Sequence, residues 1–230
     1  MANHHAFDGF PGESIEFLEA LKKNNNKFWF DKHKDDYENY ILIPSRNFVS
    51  AMGGHLRKIA PRVVADPRIN KSLFKIYRDT RFSKDKTPFK THVGIWFWEG
   101  AGKRMECSGF YFHIEPPDLT TGVGVYKFTD EQLPKYRKAV VSRKHGSALV
   151  KALGQVQKTG PYRLGGKHYK KAPRGYDPLH ENAEYLLYNS IYIYHRSKIP
   201  KAFYSVELLD YCFKRYKDMS PVHRWLRDIL

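Results

Sequence analysis

Apolar positions at helical spacing come first along this chain, and alternating ones follow. Phe17, Leu18 and Leu21 share one face of a helix predicted over 14–23, with Ser14 as its N-cap. The Asn24-Asn25-Asn26 run ends it, because asparagine favours turns and caps. A second helix fits 27–41, with Phe30, Tyr37 and Ile41 near one stripe. Pro44 suits the first turn of a third helix, which carries Phe48, Met52 and Leu56 at intervals of four and stops at Pro61.

From Leu73 the period changes from helical to alternating. Strands are predicted at 73–78, 92–98, 107–115, 121–127 and 190–196, each rich in β-branched or aromatic residues. Helices are predicted at 130–143 and 146–154, opened by Asp130 and Gly146, and at 178–188. A polar, glycine-rich loop covers 160–176. Two helices close the chain, 205–218 and 221–230, the second begun by Pro221. Helices, then consecutive strands with short connections, then helices again make an α+β pattern. The expectation is one domain over 1–230: a mainly antiparallel sheet flanked by N-terminal and C-terminal helices.

Composition fits a folded domain. The 230 residues are 41% hydrophobic and 15% aromatic, which argues against disorder. The 40 Lys and Arg against 24 Asp and Glu give a formal charge of +16, which draws anions and phosphate-bearing partners. Cys107 and Cys212 form no zinc spacing and fit a reduced protein. Residues 1–10 lack an apolar signal core, and no apolar run approaches the ~20 residues that span a bilayer. A cytoplasmic protein without a membrane segment is expected.

Charge is densest between Leu73 and His92. Six basic residues, Lys75, Arg78, Arg81, Lys84, Lys86 and Lys90, face only Asp79 and Asp85 there. Alternation turns Arg78 toward the core side, beside Phe74 and Ile76, where a charge needs a partner or a ligand. Ser83, Thr87 and Thr91 add hydroxyl donors, and Pro88 fixes the loop. The guanidinium fork matches phosphate or carboxylate, and lysine adds a movable point charge. The first reading is therefore an anion site of Arg78, Arg81, Lys84, Lys86, Lys90 and Arg174, serving a phosphate-bearing small molecule. A second is internal pairing, with Asp79, Asp85, Glu106 or Glu115 neutralising the arginines and the protein serving a structural or interaction role.

One sheet face adds chemistry. Phe110, Phe112 and Ile114 alternate with Tyr111, His113 and Glu115, so His113 and Glu115 point the same way. His92 shares a face with Trp96 and Trp98, and Tyr192 and Tyr194 share one with Arg196. His113 and Glu115 would form a general acid–base pair; two ligands are too few to define a metal site. Alternatively, the aromatic rings would stack on bases while the basic loop tracks a nucleic-acid backbone. A third arrangement has helices 14–23 and 27–41 covering this face, with His113 donating to Glu115 or a carbonyl. No dinucleotide fingerprint, P-loop, GxSxG or HExxH motif is present, and Gly122-x-Gly124 matches none of them. Neither a reaction nor a cofactor follows from the residues.

Several segments taken together carry a resemblance: Phe7-Asp8-Gly9-Phe10-Pro11, Asn24 to Phe30, the run Ser72 to His92, Gly109 to Pro116, and Pro173-Arg174-Gly175-Tyr176. This set resembles the uncharacterised family of bacterial and fungal proteins called domain of unknown function 2461. The resemblance runs from about Phe7 to the C-terminus and implies a single full-length domain. It implies no activity, substrate or cofactor. The chain departs from the family pattern at Asn189, where a lysine commonly precedes Ser190, so any role of that lysine is in doubt here.

Overall fold

A computed structural model describes residues 6–230. The fold is α+β in one domain, with an antiparallel sheet flanked by N- and C-terminal helices, as the periodicity predicts. The helices are α1 (Glu13–Lys23), α2 (Lys27–Lys32), α3 (Lys34–Tyr37), α4 (Ile43–Leu56), α5 (Gln132–Val141), α6 (Arg143–Thr159) and α7 (Leu208–Ile229). The strands are β1 (Val63–Val64), β2 (Val93–Glu99), β3 (Gly109–Glu115), β4 (Asp118–Val125), β5 (Arg163–Lys167) and β6 (Tyr188–Lys198), in the sheet order β1-β2-β3-β4-β6-β5.

Within this domain contacts gather into two compact units, each drawn from three separate segments. The first comprises the described residues through Phe97, Tyr111–Thr121 and Arg196–Lys214. Its core is a cluster of phenylalanines that takes a ring from every segment. Phe10 stacks on Phe203 at 5.0 Å and on Phe112 at 6.0 Å, and Phe48 lies 4.4 Å from Phe112. The second unit comprises Trp98–Phe110, Gly122–His195 and Arg215–Leu230. Its centre is the buried Tyr136, which stacks on Phe128 at 4.6 Å, meets Trp225 edge-on at 6.0 Å and donates its hydroxyl to Tyr185 O at 2.8 Å.

Several predicted boundaries shift for physical reasons. Ser14 lies inside α1 rather than capping it: Gly12 is the N-cap, and the buried Ser14 hydroxyl donates to Tyr40 O at 2.5 Å. The helix predicted over 27–41 is three pieces, α2, α3 and a π turn at Glu38–Leu42 that runs into α4. Gly146 does not start α6. Ser142 caps that helix, and a Cβ at Gly146 would meet Val140 O at 2.3 Å, so the glycine permits close packing.

The two helices predicted at the C-terminus are one. Pro221 sits inside α7 and withholds the amide that would bond Lys217 O, but the Ser220 hydroxyl donates to that carbonyl at 2.8 Å. Residues 178–188 form only a 3-10 turn at Ala183–Leu187. The loop predicted over 160–176 contains β5, which pairs with β6 in the register Arg163↔Tyr194 and Gly165↔Tyr192, with a bulge between Gly165 and Lys167. At Gly166 φ is +106° and any Cβ would strike the Ser190 carbonyl, so this strand depends on glycines that propensity scales count against it. Segment 73–78 makes isolated bridges, Leu73↔Ile95 and Tyr77↔Phe89, rather than a strand.

Candidate functional site

The basic segment is a loop pinned at its base. Arg78 N donates to Pro88 O and Lys90 N to Ile76 O, both at 2.8 Å, on either side of the Tyr77↔Phe89 bridge. The outer edge of Phe89 is taken by Asn25, whose amide donates to Phe89 O at 2.8 Å and accepts from Phe89 N at 3.0 Å. Phe30 stacks on the Phe89 ring at 4.2 Å. The three asparagines of the run act separately. Asn24 bonds back to Ala20 O, Asn25 holds Phe89, and Asn26 caps α2 through Trp29 N.

Most charges in this loop find partners within it. Arg78 is 27% exposed and donates to Asp85 and to the Thr87 hydroxyl. Asp85 also accepts from Thr87 N at 2.9 Å. The Arg78 guanidinium, aided by the Thr87 donors, holds the Asp85 carboxyl down to about 2. Arg81 is 78% exposed and forks onto Asp79 at 2.7 and 3.0 Å, which likewise lowers Asp79 to about 2. Lys86 donates to Thr80 O and Lys90 to Lys75 O, each at 2.9 Å. Lys84 and Arg174 are exposed, and Arg174 belongs to the other compact unit. Of the six residues expected at an anion site, two arginines engage loop carboxylates, two lysines engage loop carbonyls, and two cations are exposed.

The face of β3 behaves as alternation predicts. Phe110, Phe112 and Ile114 are fully buried, while Tyr111, His113 and Glu115 are half-buried. His113 Nδ1 lies 2.8 Å from the Tyr111 hydroxyl, and its Nε2 lies 3.6 Å from Glu115 Oε2. The His92 ring is 4.6 Å from that of His113. Alternation alone places His92 beside Trp96 and Trp98; its contact with His113 depends on the β2–β3 register and leaves no local signal. Burial, then the charges of His113 and Lys90, push His92 down to about 4; burial also lowers His113, against the pull of Glu115. Gly94 makes room for the Tyr111 hydroxyl, which a Cβ there would meet at 3.2 Å. Nearby, Arg196 is held by Asp118 at 2.9 Å and reaches Glu115 only at 3.8 Å. His92 also lines a mainly apolar recess with Tyr37, Phe74 and Ile76. The buried Ser45 hydroxyl faces this recess without a hydrogen-bond partner among the described residues.

A second histidine network lies in the other unit and carried no signal in sequence. His223 Nε2 is 3.0 Å from Glu99 Oε2, its Nδ1 is 2.9 Å from the Ser108 hydroxyl, and Arg227 reaches Glu99 at 3.3 Å. The residue types match a hydrolase triad, but Ser108, His223 and Glu99 are all buried, so no substrate reaches the serine. Tyr126, Tyr192 and Tyr194 also gather in this unit, at 6.2 and 6.0 Å between neighbours, whereas Trp96 and Trp98 are buried and unavailable for stacking. Asn189 contributes its backbone carbonyl, which accepts from Phe128 N at 3.0 Å. Cys107 and Cys212 are both buried thiols, outside any disulfide. No helix among the described residues is long and apolar enough to cross a membrane.

No curated protein and no solved structure matches the chain in comparison. One family model, described as "Conserved hypothetical protein (DUF2461)", matches residues 13–225. That span takes in the asparagine run, the paired loop and the β3 face, and the chain belongs to this family.

Proposed function

We propose that the Arg78–His92 segment is a structural clamp with an interaction role rather than an anion receptor. One observation carries this reading: Arg78 and Arg81, the two forks suited to a phosphate, both engage carboxylates of their own loop. A phosphate would have to displace Asp85 or Asp79 and leave it unpaired. In this reading the clamp walls the β3 face, and any acid–base chemistry belongs to His113 and Glu115, the pair with solvent access. A reducing cytoplasmic setting suits two buried thiols. The anion reading, for a phosphate-bearing small molecule or a nucleic acid, keeps one point in its favour: Arg81, Lys84 and Arg174 are exposed.

A thermal-shift titration with inorganic phosphate, nucleotides and short DNA and RNA separates these readings. The clamp predicts a flat response at physiological salt. Saturable stabilisation by any of these ligands, lost in Arg78→Gln, would overturn it, and a steep salt dependence would mark the partner as nucleic acid.

A further inference from the structure

We propose that His92, His113 and Glu115 bind a divalent transition-metal ion, with zinc as the reference case. This site is independent of how the basic loop is read, and with an ion bound His113 and Glu115 act as ligands rather than as an acid–base pair. The three side chains each offer one ligand atom, and all of these lie within 4.8 Å of one another. One pair, His113 Nε2 and Glu115 Oε2, is already 3.6 Å apart. An ion with bonds of about 2.0–2.2 Å keeps its ligand atoms roughly 3–3.6 Å apart, so the rest of the set closes by about 1 Å of side-chain rotation.

The surroundings fit a ligand role. A coordinating histidine is usually oriented by a hydrogen bond from its other ring nitrogen. His113 has the matching geometry: Nδ1 lies 2.8 Å from the Tyr111 hydroxyl, to which it would donate with Nε2 as the ligand, and Nε2 faces Glu115. The His92 ring nitrogens have no hydrogen-bond partner among the described residues, so coordination disrupts nothing. Arg196 is the natural competitor for Glu115, but Asp118 holds it through two bonds of 2.9 and 3.0 Å, and Lys198 sits on the same carboxylate at 3.1 Å. Two neutral imidazoles and one carboxylate bring one negative charge to a dication, which suits zinc or ferrous iron better than calcium or magnesium.

Three protein ligands leave coordination positions open, the pattern of a working rather than a structural metal site. Glu115 is 46% exposed, which gives those positions access to solvent. His92 is shared with the apolar recess, so a molecule bound there would approach the metal side of the cluster.

The test uses the full chain, stripped with a chelator and titrated with zinc by calorimetry and with cobalt by visible absorption. One zinc per chain is expected. Glu115→Gln and His92→Ala should each weaken binding by roughly 10- to 100-fold or more and change the cobalt bands. Tyr111→Phe, which removes only the orienting hydroxyl, should weaken binding by about tenfold. Glu115→Gln preserves shape at a partly exposed position, and its metal-free unfolding curve should match the parent's, so a folding defect does not mask the result. The proposal is overturned if the stripped protein takes up no zinc, or if Glu115→Gln and His92→Ala bind zinc as tightly as the parent, which would place the ion on other histidines.

Discussion

His223 with Glu99 and His113 with Glu115 are built from the same two residue types, 3.0 and 3.6 Å apart, one pair in each compact unit. Their surroundings separate them. Both His223 nitrogens are engaged, by Ser108 and Glu99, and Arg227 donates to the same Glu99 oxygen. The pair is fully buried and has nothing left to offer a ligand. His113 spends one nitrogen on Tyr111, faces a half-exposed glutamate with the other, and has a second imidazole beside it. Residue identity does not distinguish a closed pair from an open one in this chain. Unspent donor capacity beside solvent does.

The largest expected effect falls on the closed pair. Glu99→Ala leaves the buried Ser108–His223 couple without its acceptor and strips Arg227 of one of its two carboxylate partners. It should cost about 3–5 kcal/mol in chemical denaturation. A loss below about 1 kcal/mol would show that water reaches the network and would weaken the contrast.

The same pair should make stability depend on pH. Burial holds His223 below the usual histidine value, against the pull of Glu99 and with Arg227 and Arg224 lowering it further. Below the unfolded value of about 6.5 the unfolded chain therefore binds more protons at this position than the folded one. Stability is full above that pH and falls as pH drops toward and through the folded-state value. The slope approaches about 1.4 kcal/mol per pH unit for one proton. Denaturation curves between pH 7.5 and 5 should show a steeper decline for the parent than for His223→Gln; equal slopes would reject the assignment.

The loop supplies the intermediate case. Asn25→Ala removes both bonds that hold Phe89 and should cost about 1–2 kcal/mol, read from the same unfolding experiment. The smallest effect belongs to the open cluster: Glu115→Gln should change metal-free stability by no more than about 0.5 kcal/mol. A large loss there would make the open pair structural and erase the distinction between the two units.

The sequence spoke clearly where a pattern is local. Alternation in β3 placed Phe110, Phe112 and Ile114 inward and paired His113 with Glu115, because strand geometry has a period of two. Phe48, Met52 and Leu56 marked the buried face of α4 for the equivalent helical reason. It was silent where a contact joins distant segments. His92 reaches His113 only through strand register, and His223 meets Glu99 across 124 positions. β5 was hidden because its glycines serve the neighbouring strand rather than their own propensity. Alternation marks Arg78 as a charge needing a reason; of the carboxylates the sequence offers, Asp85 takes it, together with Thr87, seven and nine residues along the same loop.

Asn25 has a further consequence for how this protein behaves in a crowded solution. At the Tyr77↔Phe89 bridge, the Phe89 amide and carbonyl point away from the partner segment, the geometry by which a bare strand recruits another chain. One side chain from the turn after α1 satisfies both groups and so imitates a one-residue strand. The loop thereby terminates its own pairing. Without that amide, an aromatic-rich segment ending in Phe89 would present an open edge, and self-association through it would be the first failure to look for.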